Sequence, residues 1–122
     1  MEITIFDKSG RPKAYIADDD ENSLYTWRGK AVAYLVDDKI YGWKGKHLGW
    51  FVDGILYDLR GYRIGFLRET CPVSTYSEPS KYSKYSKYSK YSRYSPHSRV
   101  SLNSSNSAED LLEFLTSNAC GM

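Results

Sequence analysis

The chain has 122 residues, enough for one small domain and an additional segment, and carries a net charge of +2. Residues 1–70 are electrically balanced, residues 71–99 carry +5 and residues 100–122 carry −3. The basic charge is therefore confined to one segment. This excludes a domain whose whole surface is basic and binds a polyanion.

The amino terminus lacks the basic start and apolar run of a signal peptide. No window approaches the roughly 18 apolar residues of a membrane span. We therefore expect a cytoplasmic protein without a membrane span. In that compartment Cys71 and Cys120 are expected to be reduced thiols. The less favoured alternative is a bridge between them that closes the tail into a loop.

The first seventy residues contain the same pattern four times, each copy anchored on a glycine. The third copy, Tyr41-Gly42-Trp43-Lys44-Gly45 followed by Lys46-His47-Leu48-Gly49-Trp50-Phe51, shows it best. The arms are rich in aromatic and aliphatic residues that suit a pleated sheet. Glycine permits the positive φ of a tight hairpin turn. Each copy therefore predicts a β-hairpin, with turn glycines Gly10, Gly29, Gly45 and Gly61.

The position after each turn that holds Ala14, Ala33, Gly49 and Gly65 is always small. Repeated small residues indicate close backbone approach, which favours four hairpins around a common axis. A two-residue loop would pair Tyr41 with Leu48 and Lys39 with Trp50. A three-residue loop with a bulge would reassign the second arm.

The joints between copies are acidic. Four carboxylates fall at equivalent places: Asp18, Asp37, Asp53 and Glu69. A ring of carboxylates suits a hard cation such as calcium. The favoured interpretation is that these aspartates are turn residues.

The four-copy pattern, through Gly61-Tyr62-Arg63-Ile64-Gly65-Phe66, resembles the bacterial "4-fold beta flower" domain over about residues 2–70. Tyr41-Gly42-Trp43 is also similar to MORN and WG repeats, although the period here is shorter than in MORN proteins. The flower resemblance implies four hairpin petals about a pseudo-four-fold axis and does not by itself imply an activity. The first copy departs most, with Lys8 where Trp or Leu stands in the others.

Residues 71–106 form a different kind of segment, in which Lys-Tyr-Ser repeats from residue 81 to residue 95. A three-residue period fits neither a strand nor a helix, and without aliphatic residues the repeat cannot bury a core, so disorder is predicted. Lysines that neutralise phosphates and tyrosines that stack on bases would suit single-stranded nucleic acid. The residues for such polyanion contacts are Lys81, Tyr82, Lys84, Tyr85, Lys87, Tyr88, Lys90, Tyr91, Arg93 and Tyr94.

The same tail composition also fits self-association, a spacer, phosphate acceptance on Ser or Tyr, or a repeat without a ligand. After it, residues 107–117 predict a short amphipathic helix with Ser107 as its cap. A helix this short does not persist alone. Docking on its own hairpin domain is favoured over docking on a partner protein.

No zinc spacing, phosphate loop or nucleophile elbow is present in the sequence, and His47 is disfavoured as a general base. Trp27 and Trp43 are expected to pack in the core rather than to form a ligand platform. The predicted class is an all-β domain of four hairpins, followed by a disordered tail and a helix. It would act as a non-enzymatic binding or scaffolding module without a cofactor. The alternatives are a nucleic-acid-associated protein acting through the tail, or a cation- or carbohydrate-binding domain.

Overall fold

A computed structural model describes residues 2–120. Eight antiparallel strands follow one another around a closed barrel, and strand β1 meets β8 through the pair Phe6 and Phe66. This arrangement confirms the prediction of an all-β protein with four hairpins. The strands are β1 Ile3–Phe6, β2 Pro12–Ile16, β3 Ser23–Thr26, β4 Ala31–Val36, β5 Lys39–Gly42, β6 His47–Val52, β7 Ile55–Asp58 and β8 Arg63–Phe66.

Each hairpin closes with a three-residue loop that ends in the turn glycine. In the third hairpin Gly42 donates its N–H to the carbonyl of Lys46, and Gly45 donates to the carbonyl of Gly42. Lys39 pairs with Trp50 as predicted, but Tyr41 pairs with His47. The two-residue loop is therefore wrong, and the alternative with a bulge is the one observed. All four hairpins also shift register in the same way beyond the loop, where a β-bulge leaves one extra residue on the second arm; these residues are Lys13, Val32, Leu48 and Ile64.

The barrel interior is filled in layers. Ile5, Leu24, Ile40 and Leu56 are fully buried, one from the first arm of each hairpin. The small positions predicted near the axis lie beside them: Ala14 and Ala33 are fully buried, and the peptide carbonyl of Tyr57 lies against the place where a Cβ on Gly49 would stand. These residues make room for the only helix among residues 2–120, α1 at Leu111–Thr116.

Helix α1 packs into the barrel with one side. Leu111, Phe114 and Leu115 are buried in the same cluster as the strand residues. A Cβ on Gly49 would lie 3.2 Å from the ring of Phe114, and one on Gly65 would lie 3.2 Å from Leu111. The helix therefore docks on its own hairpin domain, where its apolar side fills space that the small residues leave.

The helix begins later than the sequence predicts. Its cap is Asp110, whose carboxylate accepts the N–H of Glu113 at 3.0 Å, and not Ser107, whose hydroxyl accepts the N–H of Glu109. Asn118, just beyond the helix, accepts N–H bonds from Lys44 and Lys46. The helix is thus capped by Asp110 at its start and is held to the third hairpin by Asn118 beyond its end. Within residues 2–120 no helix has the length and apolarity to cross a membrane.

Candidate functional site: the belt around the barrel

The tail runs as an extended chain around the barrel. We call residues 72–106 the belt; it contains no helix or strand, and only Asn106 forms an isolated bridge, to Arg63. The sequence predicted this segment to be disordered, whereas the structure lays it against all four hairpins. The difference arises because the belt takes its hydrogen bonds and ion pairs from the barrel, and so needs no core of its own.

Backbone hydrogen bonds attach the belt to the turn glycines in nine-residue steps. The N–H groups at positions 76, 85, 94 and 103 donate to the carbonyls of Gly10, Gly29, Gly45 and Gly61, at distances of 2.8–2.9 Å. Tyr82 and Tyr91, also nine residues apart, donate to the carbonyls of Trp27 and Trp43. Three Lys-Tyr-Ser triplets therefore correspond to the step from one hairpin to the next.

The turn glycines also leave space for the belt. The carbonyl oxygens of Ser74, Ser83, Ser92 and Ser101 lie where a Cβ on the respective glycine would stand. Each of these glycines also has a positive φ, between +83° and +94°. The four turn positions predicted from the sequence therefore require glycine for two reasons. The backbone has a positive φ there, and the belt occupies the space that a side chain would need.

The belt lysines face the barrel and pair with its acids. Lys81 and Lys84 each lie 2.7 Å from Glu2. Lys87 lies 2.7 Å from Asp19, and both Lys87 and Lys90 contact Glu21. Local sequence pattern could not identify these acceptors, since they are 60 or more positions away along the chain.

These contacts shift the pKa values of the groups in them. Hydrogen bonds from Lys81 and Lys84 lower the pKa of Glu2, and those from Lys87 and Lys90 lower the pKa of Glu21. Burial opposes ionisation of Asp19, but hydrogen bonds from Lys87 and Ser23 outweigh it and lower its pKa to about 2. The carboxylates of Glu2, Asp19 and Glu21 therefore stay ionised at neutral pH.

The same cations cover aromatic rings on the outside of the barrel. Lys81 and Lys84 lie over Tyr15, at 4.9 and 5.8 Å from the ring centroid. Lys90 lies 4.1 Å from the centroid of Tyr34, and Arg99 lies over Trp50. Positions 81, 90 and 99 repeat the nine-residue step. Since cation–π attraction needs such a face at close range, each cation has a defined place on its hairpin.

The belt tyrosines point the other way. The exposed fractions of Tyr82, Tyr85, Tyr88, Tyr91 and Tyr94 are 55–67%. The residues predicted as polyanion contacts therefore divide into two sets, cations that face the barrel and tyrosines that face solvent. We call the second set, with the serines between them, the tyrosine ridge.

Trp27 and Trp43 differ in burial and in hydrogen-bond partner. Trp43 is buried, and its indole N–H donates to the belt carbonyl of Tyr88 at 2.6 Å. Trp27 is half-buried, and its N–H donates to the carbonyl of Pro12. Trp43 therefore packs as the sequence predicts, whereas Trp27 keeps part of its ring at the surface.

His47 links the barrel to the last part of the belt. It is buried, and its ring nitrogens contact the carbonyl of Gly49 and the backbone N–H of His97, both at 2.9 Å. A neutral ring with its proton on Nε2 satisfies both contacts. Burial lowers the pKa of His47, which favours that neutral form.

The acidic joints do not come together as a site. Asp37 and Asp53 have positive φ values, 55° and 53°, in the two-residue turns that join neighbouring hairpins. Within the described part of the chain, no three His, Cys, Asp or Glu side chains are placed to hold a metal ion. Cys71 and Cys120 are both free.

A closed barrel of four hairpins, encircled by its own tail and filled by a short helix, defines a small repeat domain. Residues 3–115 match the family described as "4-fold beta flower protein", and the chain belongs to that family. The matched range includes the belt and most of the helix. No curated protein and no solved structure matches the chain.

Proposed function

We propose that the protein is a non-enzymatic binding module that meets a protein partner through the tyrosine ridge. The observation that supports this is the division of the belt, whose cations are used on the barrel while its tyrosines stay exposed. A partner would meet aromatic rings and hydroxyls on a fixed chain.

The chemistry of the ridge suits protein recognition. Tyrosine supplies a large amphipathic contact area at a low cost in side-chain entropy, and serine supplies adaptable hydrogen bonding. Aromatic residues are also enriched in protein interfaces. Because backbone hydrogen bonds hold the belt at every turn glycine, binding would order less chain than it would in a free tail, which lowers the entropic cost.

The test compares the full chain with a ridge variant, Tyr82→Ser, Tyr91→Ser and Tyr94→Ser. Each immobilised protein is exposed to the same cell extract, and the retained proteins are quantified. A matched control, Lys44→Ser with Lys46→Ser, changes exposed residues of one hairpin turn. We expect proteins that wild type and control retain and that the ridge variant loses. Equal retention by all three would contradict the proposal.

Single-stranded nucleic acid is a second candidate, favoured by exposed tyrosine rings in regular sequence beside cations. The ion pairs of those cations with Glu2, Asp19 and Glu21 stand against it. Fluorescence anisotropy of labelled single-stranded DNA and RNA at two salt concentrations separates the two candidates. Binding that weakens with salt and is lost in the ridge variant would favour nucleic acid. No binding at micromolar protein would leave the protein partner.

A further inference from the structure

A groove lies where helix α1, the first two hairpins and the belt meet. It encloses about 540 Å³, within the usual range for small-molecule sites. Its apolar surface comes from four residues on four different elements: Pro12, Trp27, Tyr85 and Leu112. The hydrogen bond from Trp27 to Pro12 fixes the indole that forms one wall.

The charges around the groove are separated by wall. Lys13, Arg28 and Lys30 stand on the barrel side, and Asp110 and Glu113 stand on the helix side. Lys30 lies over the ring of Tyr88. Across residues 2–120, no ion pair includes Lys13, Arg28, Asp110 or Glu113. Both signs of charge therefore face one apolar groove without neutralising each other.

The equivalent place in the third hairpin is filled. In the third hairpin the residue equivalent to Trp27 is Trp43, which is buried under the belt, and Asn118 packs against Gly42. Near Trp27, Leu112, Glu113 and Thr116 of helix α1 line the groove, and Leu112 is half-buried. The helix therefore lines a groove at the second hairpin, whereas Asn118, just beyond its end, covers Gly42 of the third.

We propose that this groove binds a small apolar zwitterion, namely a hydrophobic amino acid or a short peptide with free termini. The ammonium group would face Asp110 and Glu113, and the carboxylate would face Arg28 and Lys13. The apolar side chain would contact Trp27 and Leu112. Opposite charges on opposite walls favour a ligand with both charges, whereas a simple anion or cation would meet one repelling wall. The inference is independent of the partner proposed for the ridge, with which the groove shares only Tyr85.

The experiment titrates the full chain with four probes: L-leucine, L-tryptophan, the tripeptide Leu-Gly-Gly and N-acetyl-leucine amide. Binding is followed by heteronuclear NMR at the indole N–H of Trp27, assigned with Trp27→Phe. We expect saturable shifts with dissociation constants on the order of 1 mM or lower for at least one free-ended probe. The capped amide, which has no charge, should bind about tenfold more weakly or not at all.

Two variants and a control test the charged walls. Arg28→Gln and Glu113→Gln should each weaken the free-ended probe about fivefold, because each removes one exposed charge. Lys44→Gln, the equivalent change in the third hairpin, should have no effect. Binding of leucine or tryptophan would indicate a free amino acid as the ligand, whereas binding of the tripeptide alone would indicate a short peptide. The proposal is overturned if no probe binds, if the capped amide binds equally well, or if Lys44→Gln weakens binding as much as Arg28→Gln.

Discussion

At the scale of single residues, the turn glycines are the most constrained positions of the molecule. Gly45 has a φ of +93°, and the carbonyl of Ser92 occupies the space of its missing Cβ. Sequence reasoning identified the first constraint, because a glycine after a basic residue between two apolar arms is typical of a hairpin turn. The second depends on a segment almost fifty residues away and had no local signal.

Gly45→Ala should therefore destabilise the protein by more than the strain of a left-handed alanine. That strain is about 1 kcal/mol, and the clash with the belt adds to it. Urea unfolding gives the stability, and hydrogen exchange at the amide of Tyr94, which donates to Gly45, reports the belt. Lys44→Ala in the same turn is the control. Unchanged exchange at Tyr94 in Gly45→Ala would show that the belt does not restrict this position.

The contacts of His47 predict a pH dependence. Its pKa is lowered in the folded protein, chiefly by burial, while His97, Lys39 and Asp38 act on it through charge. A group whose folded pKa lies below its unfolded value contributes stability that is complete above the unfolded pKa, about 6.5. That contribution is lost as the pH falls towards the folded pKa. Protonation would also place a proton on Nδ1, against the N–H of His97.

We accordingly expect the urea midpoint of the wild type to fall between pH 7.5 and pH 5.5. In His47→Gln the fall should be smaller over the same interval, because an amide does not titrate. His97→Ala keeps the backbone N–H that donates to His47 but removes a ring whose centroid lies 5.6 Å from that of His47, so it measures what the His97 side chain contributes to the pH dependence. If His47→Gln and wild type showed the same pH dependence, the loss would have to come from other groups.

At the scale of elements, the hairpins were readable from the sequence and the belt was not. In each hairpin the two paired strands are neighbours in the sequence, so the local apolar pattern around the turn glycine predicts the hairpin. These glycines are Gly10, Gly29, Gly45 and Gly61. A Lys-Tyr-Ser triplet has no strand or helix period. Its nine-residue step becomes visible only when Ser74, Ser83, Ser92 and Ser101 are placed against four turns. Nothing in the local sequence around Glu2, Asp19 and Glu21 indicates that they pair with its lysines.

The nine-residue step predicts that attachment of the belt to the barrel depends more on the length of the belt than on its composition. Deleting Lys87–Ser89 removes one triplet, or about 10 Å of extended chain, yet leaves a Lys-Tyr-Ser repeat. The belt could then not reach both Gly29 and Gly45 with its present partners. We expect faster amide exchange on one side of the deletion and faster tryptic cleavage after the neighbouring lysines.

Tyr91→Ser is the control for length, because it removes an exposed ring and keeps the backbone N–H that donates to Trp43. It should leave cleavage close to that of the wild type. Should the deletion and Tyr91→Ser be cut at the wild-type rate, the repeat would be shown to slide along the barrel without a fixed register.

At the scale of the whole molecule, barrel, belt and helix form one structure, because each lacks a core that would be complete alone. The small positions leave space at the axis, and α1 fills it with Leu111, Phe114 and Leu115. The belt connects the last strand to that helix and is attached to each hairpin on the way. We therefore expect a single cooperative unfolding transition, as for other small domains.

Phe114→Ala tests whether barrel, belt and helix unfold in one cooperative transition. It removes a buried ring from the centre of the barrel, which costs about 3–5 kcal/mol in well-packed cores. Leu112→Ala on the same helix changes a half-buried side chain and should cost about 1 kcal/mol or less. Urea unfolding followed by tryptophan fluorescence reports the barrel, and amide exchange at Asn103, which donates to Gly61, reports the belt. In Phe114→Ala the free energy of unfolding of the barrel and the protection of the Asn103 amide should fall together. A belt that loosens while the barrel keeps its stability would instead show that the helix anchors the belt without supporting the core.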